Sequence, residues 1–190
     1  MLFRSMMLTF LLGAAVVAVF IFILGRLFGF KAQRADDYAH STVQFDLRRH
    51  LNGPIDCEGI IYGPTGRVSS RFVGRFYASW QGNSGRMTER FEYDSGTVQE
   101  REWHLTLSED GEIQADAADL VGSGSGRQSG SAVHLNYKIR LPDAAGGHVL
   151  TTTDWMYLGP NGAIVNRSQF RKFCLKVGEL VATMRPAAPA

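Results

Sequence analysis

From residue 54 onward the chain is cut into short runs by turn residues that recur at strand-length intervals. They are Gly63-Pro64-Thr65-Gly66, Gly82-Asn83-Ser84-Gly85, Asp94-Ser95-Gly96, Glu109-Asp110-Gly111, Gly122 to Gly130, Pro142 to Gly147 and Gly159-Pro160-Asn161-Gly162. The runs between them alternate apolar and polar residues, the period of a half-buried strand, and none sustains a helical period. Strands follow at Ile55–Tyr62, Arg67–Trp80, Met87–Tyr93, Thr97–Leu107, Glu112–Val121, Ser131–Leu141, Val149–Leu158, Ile164–Arg171 and Phe173–Thr183. Eight or nine sequential antiparallel strands remove their exposed edges by closing on themselves. The predicted fold is mainly β: a lipocalin-like up-and-down barrel over residues 54–185, with a sandwich as the alternative and residues 186–190 as a disordered tail. The Gly-rich stretch 122–130 reads as a flexible surface loop. It is followed by a strand and not by the helix that a phosphate loop needs.

The stretch Met87–Leu107 sets the register. A three-residue loop at Asp94-Ser95-Gly96 is a favoured hairpin closure, and it opposes Tyr93 with Thr97. Counting back by twos pairs Phe91 with Gln99, Glu89 with Arg101 and Met87 with Trp103, all on one face. That face carries Met, Phe, Tyr and Trp, so it is the buried one, and a carboxylate and a guanidinium stand opposed in its middle. Two readings stay open. The pair fixes register as a buried ion pair, or Arg101 binds a ligand's anionic group with Glu89 orienting it.

Other inward candidates follow from phase. Asp119 shares its phase with Ile113 and Val121, as a second inward acid or as a cap on the Gly-rich loop. Either Asp154 or its neighbour Trp155 points inward, and Asn166 shares a phase with Ile164 and Phe170. Trp103 is a core aromatic in the simplest reading, as are Trp80 and Trp155. The candidate ligand-binding set is therefore Glu89, Arg101, Trp103, Asp119, Asp154, Trp155 and Asn166. No nucleophile-elbow or zinc-protease motif occurs, so an enzyme is disfavoured, although a paired-carboxylate hydrolase using Glu89 with Asp119 or Asp154 stays arithmetically open. The two cysteines, Cys57 and Cys174, fit no metal spacing, and neither metal nor cofactor is expected. A closed sheet makes the first and last strands neighbours, which allows a Cys57–Cys174 disulfide in an oxidising compartment.

Before the barrel, Met6–Leu24 runs 19 residues without a charge, long enough as a helix to cross a bilayer core. Its length exceeds a usual signal-peptide core and no cleavage-type small-residue site follows before Asp36, so an uncleaved anchor over residues 1–30 is preferred to a signal peptide. Residues 31–53 form a tether with a short helical turn whose apolar members are Phe45, Leu47 and Leu51. Charge needs the same partition. Four of the 20 bases (Arg4, Arg26, Lys31, Arg34) precede the first acid, leaving sixteen against all 18 acids and a body of net charge −2. That interspersed body lacks the basic stripe of a nucleic-acid binder. The positive-inside rule does not fix topology here, since bases flank both ends of the apolar run. The expectation is a single-pass protein of the cytoplasmic membrane with a periplasmic body.

Several motifs taken together resemble the bacterial domain-of-unknown-function 3833 family: E-x-F-x-Y-D-x-G at Glu89–Gly96, R-x-W at Arg101–Trp103, D-L-V-G at Asp119–Gly122, D-W-M-Y-L at Asp154–Leu158, and N-R-S at Asn166–Ser168 with the following K-F and V-G-E. The resemblance covers about Phe45 to Thr183. It implies a cell-envelope protein and no established activity. Many members look like lipoproteins with a cysteine after the signal; this chain has none there, which favours a protein anchor. The function expected is a membrane-anchored binding module for an apolar or lipid-like ligand with an anionic group. The alternative is a solid-cored envelope domain that meets a protein partner.

Overall fold

The computed structural model describes residues 2–188, except the side chains of residues 2–4, 26 and 144. It falls into two units, residues 1–37 and 38–190. In the first, α1 (Leu2–Leu27) contains the apolar stretch Ser5–Gly25, with a mean hydropathy of 2.9. At about 1.5 Å per residue, the 26-residue helix is longer than a bilayer core is thick. The chain then makes a 3-10 turn at Ala35–Tyr38.

The second unit is a closed antiparallel barrel of ten strands: β1 (Gly53–Tyr62), β2 (Val68–Gln81), β3 (Ser84–Tyr93), β4 (Val98–Leu107), β5 (Glu112–Ala117), β6 (Gly124–Ser129), β7 (Ala132–Arg140), β8 (Val149–Leu158), β9 (Ile164–Lys172) and β10 (Leu175–Pro186). Each strand pairs with the next, and β1 closes on β10 with Cys57 opposite Met184. The β3–β4 register follows the three-residue loop: the Tyr93 amide donates to the Thr97 carbonyl at 2.9 Å, and Glu89 stands opposite Arg101.

The strand count exceeds the expected eight or nine because the stretch read as a loop supplies β6. Its sequence, GSGRQS, carries no apolar side chain, so alternation cannot mark it. Small size is what its place requires. Gly126 lies between Ile113 of β5 and Leu135 of β7, both inward residues. A Cβ there would run into the His134 carbonyl, and 2.6 Å from a Leu135 methyl. Gly124 is as tight, with the Tyr137 Cβ 3.0 Å away. The strand is held by backbone pairing to both neighbours, and the chain turns back into it after β5 ends at Ala117 and not at Val121.

One end of the barrel is stoppered by the chain that enters it. Asp46 caps α2 (Leu47–His50) by accepting from the Arg48 amide at 2.9 Å. Phe45, Leu47 and Leu51 are each no more than 2% exposed, within the core that holds Leu107, Ile113 and Ile164. The stopper is pinned to three strand ends. The Trp80 indole donates to the Leu51 carbonyl at 2.8 Å, the Leu47 amide to the Gln128 side chain at 2.9 Å, and the Phe45 amide to the Gly130 carbonyl at 2.7 Å. The expected tail begins inside β10, which includes Pro186; residues 189 and 190 lie outside the described residues.

The disulfide is not formed: both thiols are free, Cys57 buried and Cys174 exposed. Cys57 pairs with Met184, ten residues along β10 from Cys174 in the β9–β10 turn. At about 3.3 Å per residue that separation is about 30 Å, against the few ångströms a disulfide spans.

Candidate functional site

Above the stopper the barrel encloses a cavity of about 990 Å3. Its floor is Leu47 and Leu51, and its wall is largely apolar, with Phe72, Phe76, Phe91, Met156 and Ala182 among the residues facing it. At the other end it opens among Tyr62, Arg140, Pro142, Phe170 and Val177.

A band of polar side chains crosses this apolar tube. Arg101 of β4 is its one cation. Its side chain is 12% exposed, its Nε donates to Asp119 at 3.0 Å, and its guanidinium carbon lies 3.9 Å from the centre of the Trp103 ring. Asp119 reaches it from the segment after β5, so it is an inward acid and not a loop cap. The Nη2 of Arg101 is buried without a hydrogen-bond partner. Tyr137 of β7 lies within hydrogen-bonding reach of both Arg101 and Asp154 of β8. Asp154 also accepts from the Ser168 hydroxyl at 2.8 Å and from the Asn166 amide, both on β9. The band thus runs Asp119, Arg101, Tyr137, Asp154, then Asn166 and Ser168, drawn from five segments of the barrel.

Glu89 sits beside this chain and does not close on Arg101. Burial pushes its carboxyl up to about 7; the Arg101 charge and a hydrogen bond from Trp103 oppose the shift, and Asp154 and Asp119 add to it. Burial likewise raises Asp154, against the hydrogen bonds from Ser168 and Asn166. Burial and the Asp154 charge raise Tyr137. Three carboxyls against one guanidinium in a closed space leave the acids competing for one counter-charge. The two most deeply placed respond by holding protons more tightly.

The other sequence candidates divide. Trp103, Asp154 and Asn166 line the cavity with Glu89, Arg101 and Asp119. Trp155 does not. It points outward from β8 and is 1% exposed because Tyr38, His134 and Tyr157 cover it, with centroids at 5.5, 4.4 and 6.0 Å. Phase alone could not separate Asp154 from Trp155, because both faces of β8 are covered. Tyr137 and Ser168 were missed as site residues. Ser168 shares the phase of Asn166, and Tyr137 that of the inward residues of β7, so the signal was present. No cluster of three or more metal-ligating side chains occurs among the described residues.

A closed antiparallel barrel around a ligand-sized cavity places the chain in the lipocalin-like class. Residues 24–186 match the family described as "Protein of unknown function (DUF3833)", and the chain belongs to it. A search of curated protein sequences finds no match. Among solved structures it is similar to the S-type phycobiliprotein lyase CPES from Guillardia theta (TM-score 0.55, 8% identity, covering 76% of this chain and 92% of that one). It is also similar to Rv2717c from M. tuberculosis (TM-score 0.54, 13% identity, covering 74% and 94%). At these identities the likeness is one of fold alone.

Proposed function

We propose that the chain is a membrane-anchored carrier of the cell envelope that holds one apolar, lipid-like molecule in its barrel. The observation that carries this reading is a cavity of about 990 Å3, apolar in its walls, with one buried guanidinium nitrogen unpartnered beside it. Ligand sites of this kind fall at a few hundred to about 1,000 Å3, apolar with a few fixed polar groups. An unsatisfied buried donor is costly, and a ligand oxygen at Nη2 removes that cost. The charge tally limits the head group. A doubly charged phosphate would face Glu89, Asp119 and Asp154 together. A single carboxylate, sharing the Glu89 proton, or an ester carbonyl suits one guanidinium better. A solid-cored interaction domain needs a filled interior, so the cavity favours the carrier. A body on the periplasmic side of the cytoplasmic membrane is part of the proposal, supported by the apolar helix α1.

The test is extraction of the purified full chain with organic solvent, mass spectrometry of what is released, and titration with a dansylated fatty acid. The expected result is one apolar molecule per chain and saturable dansyl binding. Both should be lost in Ala182→Phe, which fills the tube, and weakened in Arg101→Met. A chain that releases nothing and binds no dansyl probe would overturn the reading.

A further inference from the structure

The β9–β10 hairpin stands at the open end of the barrel. Phe170, Val177 and Gly178, on its two arms, line the cavity mouth. Its turn is the two residues Phe173 and Cys174, with φ of 50° and 67°. A two-residue turn with both central φ positive normally takes Asn-Gly, because side chains without local hydrogen bonding are strained there. A phenylalanine kept at such a place, with no core to bury it, points to a use for the exposed ring.

The tip is the most exposed apolar feature of the barrel unit. Phe173 is 88% exposed and Leu175 72%, where the next large apolar side chain of that unit, Val73, is 59%. From Phe170 to Gly178 the sequence FRKFCLKVG has three bases and no acid. Lys172 reaches the His148 ring at 3.0 Å and lies 5.7 Å from the Phe173 ring centre. Glu179, the nearest carboxylate along β10, is held by Lys176 at 2.7 Å and Arg167 at 2.5 Å. Two apolar side chains projecting beyond a collar of bases match the interface of an anionic bilayer, where rings enter the head-group region and ammonium groups stay at lipid phosphates. A protein partner would need a complementary acidic apolar groove; a membrane supplies both chemistries without one.

We infer that the Phe173–Leu175 hairpin tip docks the mouth of the barrel on an anionic lipid surface. Docking there gives the cavity a route to bilayer lipid that does not cross water. The inference goes beyond the carrier reading and stands or falls apart from it, because insertion of the tip is measured without reference to the cavity.

Cys174 supplies the probe, since it is free and exposed while Cys57 is buried. The full chain, labelled at Cys174 with an NBD fluorophore, is placed in phosphatidylcholine vesicles or in vesicles of equal parts phosphatidylcholine and phosphatidylglycerol. Spin-labelled quencher lipid is put either in the host bilayer or in added vesicles. The expected result is a blue shift and quenching in at least one arm, only where phosphatidylglycerol is present. Lys172→Ala with Lys176→Ala should weaken it about tenfold. Phe173→Asn with Leu175→Thr, which keeps residues suited to the turn and the strand, should abolish it. Absence of quenching in both arms, equal quenching with phosphatidylcholine alone, or quenching that survives loss of Phe173 and Leu175 would overturn the inference. So would a tip that ignores vesicles and photo-crosslinks through Cys174 to a protein.

Discussion

Replacing Glu89 by Gln removes a carboxyl whose ionisation the fold opposes. In the folded barrel its pKa is raised from 4.5 to about 7. The folded state therefore holds this proton more tightly than the unfolded chain does. Folding takes up a proton between these two values, and stability falls as pH rises through them. The penalty is absent below about pH 4.5, grows by about 1.4 kcal/mol per pH unit, and levels off above pH 7 at about 3 kcal/mol. Gln keeps the shape and an oxygen to accept from Trp103, but it does not titrate. The Gln variant should match the parent at pH 4.5 and exceed it at pH 8 by about 3 kcal/mol, roughly 10 °C in Tm for a chain of this length. Thermal unfolding of both proteins in the same detergent, from pH 4.5 to 8.5, measures the difference curve, in which the shared titration of Asp154 largely cancels. A flat difference would refute burial of a titrating carboxyl. A Gln variant several kcal/mol weaker at pH 8 would mean that Arg101 depends on Glu89 as its counter-ion, the role the structure gives to Asp119.

Three further outcomes follow from the same geometry. Asp119→Ala leaves the Arg101 guanidinium buried without its ion-pair partner and should cost about 3 kcal/mol or more in denaturant unfolding, where Glu89→Gln gains at neutral pH. Gly126→Ala drives a methyl into the His134 carbonyl and Leu135 and should cost about 1–3 kcal/mol, while Gly122→Ser, in the turn before β6 with open space around it but φ of 76°, should cost less. Cys174 should react with maleimide in seconds under native conditions, and Cys57 only on unfolding. Burial holds the Cys57 thiol up to about 12, and a mass shift of two labels on the native chain would contradict its placement.

How far the sequence specified this fold differs from strand to strand, and the reason is how much side chain each strand carries. The β3–β4 hairpin was legible to the residue because its loop length admits one register and its buried face is marked by Met87, Phe91, Tyr93 and Trp103. β6 was illegible because its inward positions, Gly124 and Gly126, must have no side chain at all, and periodicity reads side chains. Closure of the sheet was inferred from the order of strands. The stopper at Phe45–Leu51 was visible as an amphipathic turn, though which strand ends it would meet was not.

In the site, alternation located the charges but not their partners. Opposite positions on paired strands put Glu89 and Arg101 side by side, which made a direct ion pair the natural expectation. A guanidinium on a long stem reaches past its cross-strand neighbour, and Asp119, eighteen residues on, comes in from beyond the end of β5 to take it. That contact depends on where β5 stops, which the run Ala117-Ala118-Asp119-Leu120 does not announce. Once Asp119 has the guanidinium, Glu89 is left with burial and two like charges, so its proton affinity rises instead of falling. A cross-strand pair read from register alone therefore gave the right residues and the wrong sign for the effect of removing Glu89. Unfolding of Glu89→Gln and Asp119→Ala at pH 8 moves in opposite directions on the structure's account, and in parallel on the account from register.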